Sequence, residues 1–264
     1  MFNFQPLPFE GLSNTRDLGG FPAAGGKTVR PKTLLRSAEL ASATQRDREV
    51  LEKEYRLAVI ADFRSRAECL SVPDPVIPGA RLCTIEVLDS DAVGITREKD
   101  GLESLYRKLN DPAFSVLDYF TPFYRALVSG AAARRGYAEF FRLLLELAPG
   151  RCALWHCSAG KDRTGMATVY LLSALGTPRE VIAADYISQN ETLRDFLDAI
   201  AKKHGKGIPH LERNVRALYS ASPVYLDTAY DEMIRFAGSP EAYLEKGLGL
   251  DEKKIALLRE KFLI

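Results

Sequence analysis

The stretch that most constrains this chain is a cysteine set between two apolar segments. Cys152-Ala153-Leu154-Trp155 is short enough for a buried strand, and the run 166–175 reads as a helix that Gly176 ends. Between them lies His156-Cys157-Ser158-Ala159-Gly160-Lys161-Asp162-Arg163-Thr164-Gly165. A strand, a tight loop and a helix start bring backbone N–H groups and the positive end of a helix dipole to one point, which makes an anion site. The floor of that site is Cys157, where a helix start and neighbouring cations favour a thiolate.

The other residues of the loop take roles from their chemistry. The backbone from Ser158 through Ala159, Gly160, Lys161 and Asp162 to Arg163 is the phosphate-binding surface, with glycine allowing the sharp turn. Arg163, six positions after the cysteine, offers a planar, permanently charged fork that matches two phosphoryl oxygens. The Thr164 hydroxyl can hydrogen-bond the sulfur and help it leave. His156 reads as a buried orienter of the loop. A carboxylate in an anion-binding loop is unfavourable unless it faces away, so Asp162 is expected to pair with Lys161 or to orient water. Lys161 is expected to add charge at the mouth, which suits substrates with more than one phosphate.

These residues resemble the signature loop of the protein tyrosine phosphatase superfamily. The Gly-Lys-Asp-Arg form is similar to that of its bacterial atypical tyrosine and lipid phosphatases, some of which are secreted effectors of intracellular pathogens. Further segments resemble the same subgroup: Asn14-Thr15-Arg16-Asp17-Leu18-Gly19-Gly20, then Asp62-Phe63-Arg64-Ser65 followed by Glu68, then Asp185-Tyr186, then the tail. Phe63 stands where the subgroup has Leu. The resemblance implies an α/β fold: a central, mostly parallel sheet flanked by helices, with extra C-terminal helices and a helical lid, in a single domain over 1–264. It implies hydrolysis of phosphomonoesters, phosphotyrosine in proteins first and phosphoinositides second, through a phosphocysteine and with no metal or cofactor. It places the general acid just beyond the strand that follows the Asp-Phe-Arg-Ser segment. Counting from Asp62 puts the acid at Asp89, with Asp91 its neighbour and Asp162 and Asp62 the alternatives. A rhodanese-like sulfurtransferase also cradles an anion around a loop cysteine, and an inactive phospho-binding module is the non-enzymatic alternative. Arg163-Thr164-Gly165 opening a long helix argues for the phosphatase.

Bulk properties exclude several other classes. The 264 residues carry 36 Lys+Arg against 35 Asp+Glu, a net charge of +1, so nothing draws the chain as a whole to nucleic acid or to an anionic membrane. The cysteines Cys69, Cys83, Cys152 and Cys157 form no C-x-x-C pair, and with three histidines they give no zinc set at metal spacing. The N-terminus does not read as a signal peptide and no stretch is long enough to span a membrane. Cytoplasmic residence, or export without a recognisable leader, is expected.

Along the chain, Arg16 and Asp17 read as a corner in which they pair with each other or with nearby backbone, or as support behind the phosphate loop. Residues 33–37 read as a short strand, 45–55 as a helix capped by Thr44, 57–61 as a buried strand, 71–79 as a proline-rich loop and 81–87 as another strand. Arg64 and Glu68, four apart, read as a helix pair. The segment 88–110, amphipathic over 102–109, is the expected lid. Helical spacing follows from Pro112, again over 137–148, and from Pro178 through 203. Residues 205–210 read as a loop with a polar region to Tyr219, and 225–236, 241–246 and 252–262 as amphipathic helices.

Overall fold

Five strands carry the site: β1 (Arg16–Asp17), β2 (Leu34–Ser37), β3 (Leu57–Asp62), β4 (Arg81–Thr84) and β5 (Cys152–His156), in the sheet order β1-β2-β5-β3-β4. The inner β3 and β5 are buried apolar runs of the sequence. The computed structural model describes residues 6–88 and 99–264. Only β1 runs antiparallel to its neighbour; β2, β5, β3 and β4 are mutually parallel. Parallel strands buried on both faces read as continuous apolar runs. That is the pattern of β5, every residue of which is buried.

Twelve helices flank the sheet among the described residues: α1 (Gln45–Lys53), α2 (Arg66–Ser71), α3 (Lys99–Leu109), α4 (Val116–Ser129), α5 (Ala131–Glu146), α6 (Asp162–Leu175), α7 (Arg179–Thr192), α8 (Arg194–Gly205), α9 (Pro209–Tyr219), α10 (Pro223–Ala237), α11 (Pro240–Lys246) and α12 (Glu252–Phe262). Side chains alternate across each strand. Leu34, Val59, Ala61, Ala153 and Trp155 face the larger core with α4 to α6 and the C-terminal helices. Leu35, Leu57, Ile60, Cys152 and Leu154 face a smaller one with Leu12, Leu51 and Ile77. The helix after the loop, α6, is apolar nearly all round, which is how a helix enclosed by others reads. It stops at Gly176, whose φ of +82° closes the last turn in the left-handed conformation.

Three expectations need correction. The strand read over 81–87 ends at Thr84, because Ile85 and Val87 leave the sheet edge and pack against Gly136 of α5, where a Cβ would come within 2.7 Å of Val87. The helix read from Pro112 starts at Val116, capped by the Ser115 hydroxyl. The polar region read as loop to Tyr219 is α9. The glycines at 205 and 207 break the chain, but Pro209 sits at a helix start, where it lacks only an N–H that would be unpaired anyway.

Of the expected lid, 89–98 lie outside the described residues. The rest is α3, fastened to α9: Asn214 donates to the carbonyls of Leu109 (2.9 Å) and Asp111 (3.3 Å), and His210 Nε2 lies 3.0 Å from that of Asn110. No described helix is long and apolar enough to cross a membrane.

Candidate active site

The loop leaves the C-terminal end of β5, the central strand, where parallel sheets gather functional groups. Its carbonyls are all occupied. That of Cys157 faces His156 Nδ1 at 3.2 Å, and Ser158's accepts from the Glu39 N–H at 3.1 Å. Asn14 Nδ2 donates to the carbonyls of Ala159 and Gly160, each at 3.1 Å, and Arg36 Nη2 donates to Gly160's at 2.8 Å. The Lys161 carbonyl accepts from the Gly165 N–H inside the first helical turn. In a trans peptide plane the carbonyl of one residue and the N–H of the next point opposite ways. With the carbonyls tied to the body of the protein, the N–H groups of Ser158, Ala159, Gly160, Lys161 and Asp162 face the concavity. Those of Arg163 and Thr164 join them as unpaired donors of a helix start. Gly160 permits this path: its φ is +66°, and a Cβ would lie 2.4 Å from the Ser37 carbonyl oxygen. Cys157 is buried at the base.

Arg163 reaches back across the loop from the first turn of α6. Its two terminal nitrogens grip Glu68, Nη1 to Oε2 at 2.7 Å and Nη2 to Oε1 at 2.9 Å, while Nη1 also donates to the Phe63 carbonyl and Nη2 to Ser158 Oγ at 3.3 Å. Its Nε makes no hydrogen bond among the described residues, so that N–H remains for an anion, which would compete with Ser158 Oγ for Nη2. Burial disfavours the Arg163 cation, but the bonds to Glu68 outweigh that and raise its pKa. Burial likewise works against the Glu68 carboxylate, yet the guanidinium of Arg163 holds it down at about 2. Glu68 also accepts from Ser158 Oγ at 2.5 Å and caps its own helix by accepting from the Ser65 N–H. It is thus the partner of Arg163, and the expected helix pair with Arg64 does not form.

Lys161 does not stand at the mouth. Its buried ammonium donates to the carbonyl of Leu218 (2.9 Å) and to that of Ser220 (3.3 Å) at the end of α9, and lies 3.5 Å from Asp162. Asp162 faces away from the concavity and accepts from the Tyr124 hydroxyl, which bonds that of Tyr186 at 2.6 Å. Burial and the charge of Asp162 push the Tyr124 phenol well up. The buried Thr164 hydroxyl has no hydrogen-bond partner among the described residues. Asp89 and Asp91 lie outside the described residues.

Two buried charge clusters hold the loop's flanks. On the β3 side, Arg64 donates to both oxygens of Asp62 (2.8–3.0 Å), lies 2.7 Å from Asp74 and donates to the Val72 carbonyl. His156 Nε2 is 3.0 Å from Asp74. The potential ligand atoms of Asp62, Asp74 and His156 lie within 4.8 Å of one another, and the Arg64 guanidinium already supplies the cation there. Burial opposes ionisation of Asp62, but its bonds from Arg64 prevail and lower its pKa.

On the β2 side, Arg36 Nη1 donates to Asp185 Oδ2 at 2.7 Å, and Arg16 Nη2 lies 3.5 Å from Oδ1. Asp17 turns instead to backbone, accepting from the N–H groups of Gly19 and Lys32. Asn14 therefore supports the loop from behind. Among the described residues the Arg16 guanidinium bonds only to Asp185 and Ser188 of α7 and to no loop residue, and Asp17 makes the corner. Asp74, Arg36 and Asp185 were not marked as site residues by the sequence. The signal available for Arg36 was a lone cation inside an apolar strand. Asp74 is one acid in a proline-rich loop and carries no such mark.

A strand-borne anion cradle with a buried cysteine and an arginine clamp defines a class of phosphate-handling protein, and similarity to known proteins agrees. The model of the tyrosine phosphatase family matches residues 7–264. The chain belongs to that family. It is 32% identical over 259 residues, 97% of its length and 88% of the relative's, to a candidate tyrosine-protein phosphatase of Cupriavidus necator. It is 31% identical over 201 residues, 69% of its length and 68% of the relative's, to the triple specificity protein phosphatase PtpB of Mycobacterium tuberculosis.

Proposed function

We propose that this tyrosine phosphatase works through Cys157, with 1–264 acting as one phosphatase domain. The observation that carries the reading is the convergence of the loop N–H groups and the guanidinium of Arg163, its Nε unused among the described residues, above a buried cysteine. In the first step the sulfur attacks phosphorus, an S–P bond forms, and the P–O bond to the leaving group breaks. The departing oxygen takes a proton from a carboxylic acid. In the second step water attacks phosphorus, the same carboxylate takes its proton, and the S–P bond breaks to release phosphate. The loop N–H groups and Arg163 stabilise the charge that spreads over the equatorial oxygens, the type of interaction that contributes most in such reactions. Thr164, unpartnered and next to Arg163, is the donor available to the leaving sulfur.

Asp89 remains our assignment for the acid, with Asp91 the alternative. Asp62 is committed to Arg64, and Asp162 to Tyr124 and Lys161, which argues against both. Phosphotyrosine in proteins is the first substrate. Phosphoinositides are the second, resting on the loop's resemblance alone and no longer on Lys161, whose charge is spent on α9. Metal-free phosphate release from a phosphotyrosine peptide and from phosphoinositides tests this. We expect turnover of the peptide, loss of at least about 10³-fold in Cys157→Ser, and loss of the basic limb of the pH profile in Asp89→Ala. Full activity in Cys157→Ser would overturn the covalent route, and full activity in Asp89→Ala would move the acid to Asp91.

A further inference from the structure

Arg16 and Arg36 are directly opposed across the antiparallel pair β1–β2. Like charges at such a position repel, and both side chains are buried, Arg16 at 2% exposure and Arg36 at 0%. Among the described residues their only ion-pair partner is the single carboxylate of Asp185. Their other contacts are neutral: the Asp185 carbonyl and Ser188 for Arg16, Gln189 and the Gly160 carbonyl for Arg36. A fold needing only a bridge between β2 and α7 would be served by one arginine. The second leaves an uncompensated cation, and the carbonyl it holds belongs to the loop.

We propose that Arg36 is a positioning residue of the phosphate cradle: with Asn14 it pins the Ala159 and Gly160 carbonyls downward, and with Arg16 it sets a net positive charge beneath the loop. This rests on reading the loop as the catalytic phosphate site. The two effects serve one end. Pinning the carbonyls aims the next N–H groups at the anion before it arrives, so little reorganisation remains on binding. The buried charge acts on the same anion through an interior that screens it poorly.

Burial and the neighbouring Arg36 charge lower Arg16 to about 10, although Asp185 works against this, as expected where two guanidiniums share one carboxylate. Gly165 fits the same arrangement. A Cβ there would come within 3.3 Å of Tyr186 and 3.9 Å of Arg36 Nη2, so α6 runs close over the arginine that holds its loop.

The test is binding of tungstate, a tetrahedral oxyanion shaped like phosphate, by calorimetry in a Cys157→Ser background, with phosphatase kinetics of the same variants carrying Cys157. Arg36→Met leaves Arg16 and Asp185 as a balanced pair, so its melting temperature should stay near the parent's. Tungstate affinity should nevertheless fall about ten- to a hundredfold, with kcat falling at saturating substrate. Arg36→Lys keeps the charge without the fork and should recover part of the affinity. Asn14→Gly tolerates the left-handed backbone at that position, φ +52°, and removes only the side-chain amide. It should cost about three- to tenfold.

Unchanged tungstate affinity in a folded Arg36→Met overturns the proposal. If that variant does not fold, Asn14→Gly decides on the same criterion. Activity surviving in Cys157→Ser alone would instead overturn the catalytic reading, so the two failures are distinct.

Discussion

On the β3 flank of the loop, Asp62 and Asp74 share the guanidinium of Arg64; on the β2 flank, Arg16 and Arg36 share the carboxylate of Asp185. Both clusters are buried and both sit beside β5. Asp62 pairs in register with His156, while Arg36 pairs with Trp155, so the clusters lie on opposite faces of the sheet as well as on opposite flanks. The excess carboxylate charge, to which Glu39 at 3.5 Å from Arg64 also contributes, stands by His156. The excess cation stands beneath Gly160, where the loop turns. Charge balance in each cluster is thus local, and the same kind of substitution should have opposite consequences on the two sides.

Arg64→Leu would leave two buried carboxylates without a cation. We expect a loss of about 3–5 kcal/mol in unfolding free energy by urea denaturation, whereas Arg36→Met should change it by less than about 1 kcal/mol. Equal losses in the two variants would break the comparison. Arg163→Lys keeps a charge but not the planar fork that grips Glu68 and that we propose holds the anion. It should lower kcat by about 10²–10³ with the fold intact, and a kcat near wild type would mean that charge alone suffices.

Glu68 gives the acid-side test. Its carboxyl is held at about 2 against an ordinary 4.5. A depressed carboxyl contributes stability that is complete above its ordinary pKa and is lost as pH falls through the folded-state value. The stability gap between wild type and Glu68→Gln should therefore close between pH 4.5 and 2. A gap independent of pH there would contradict the Glu68–Arg163 pairing. The smallest effect concerns Cys69, whose Sγ lies 3.2 Å from Asp62. Burial and that carboxylate push its thiol up to about 12. Cys69 should react with a disulfide reagent at pH 8 more slowly than a free cysteine, and labelling at the free rate would place Asp62 elsewhere.

How much of this was legible in the sequence follows from how local each feature is. The β5–loop–α6 unit was readable because its signals are contiguous: an apolar run, small residues at the turn, then an apolar helix closed by Gly176. The capping box of α1 at Thr44 and Asp47 was equally local, and Thr44 was placed correctly. The supports of the loop were harder because their partners are distant along the chain. Arg36 meets Asp185, and Asn14 meets Gly160, across more than a hundred residues. Lys161 was misjudged for a related reason. Its neighbours suggest an open mouth, but the carbonyls that bind it end α9, a helix hidden in the sequence by Gly205, Gly207 and Pro209.

The central claim is that phosphate passes through Cys157. The most direct measurement is a rapid acid quench of the enzyme turning over a radiolabelled phosphotyrosine peptide, followed by peptide mapping. The account predicts a phosphoryl group on the sulfur of Cys157 that accumulates transiently in wild type and is absent in Cys157→Ser. A label on another residue, or undiminished turnover in Cys157→Ser, would contradict it.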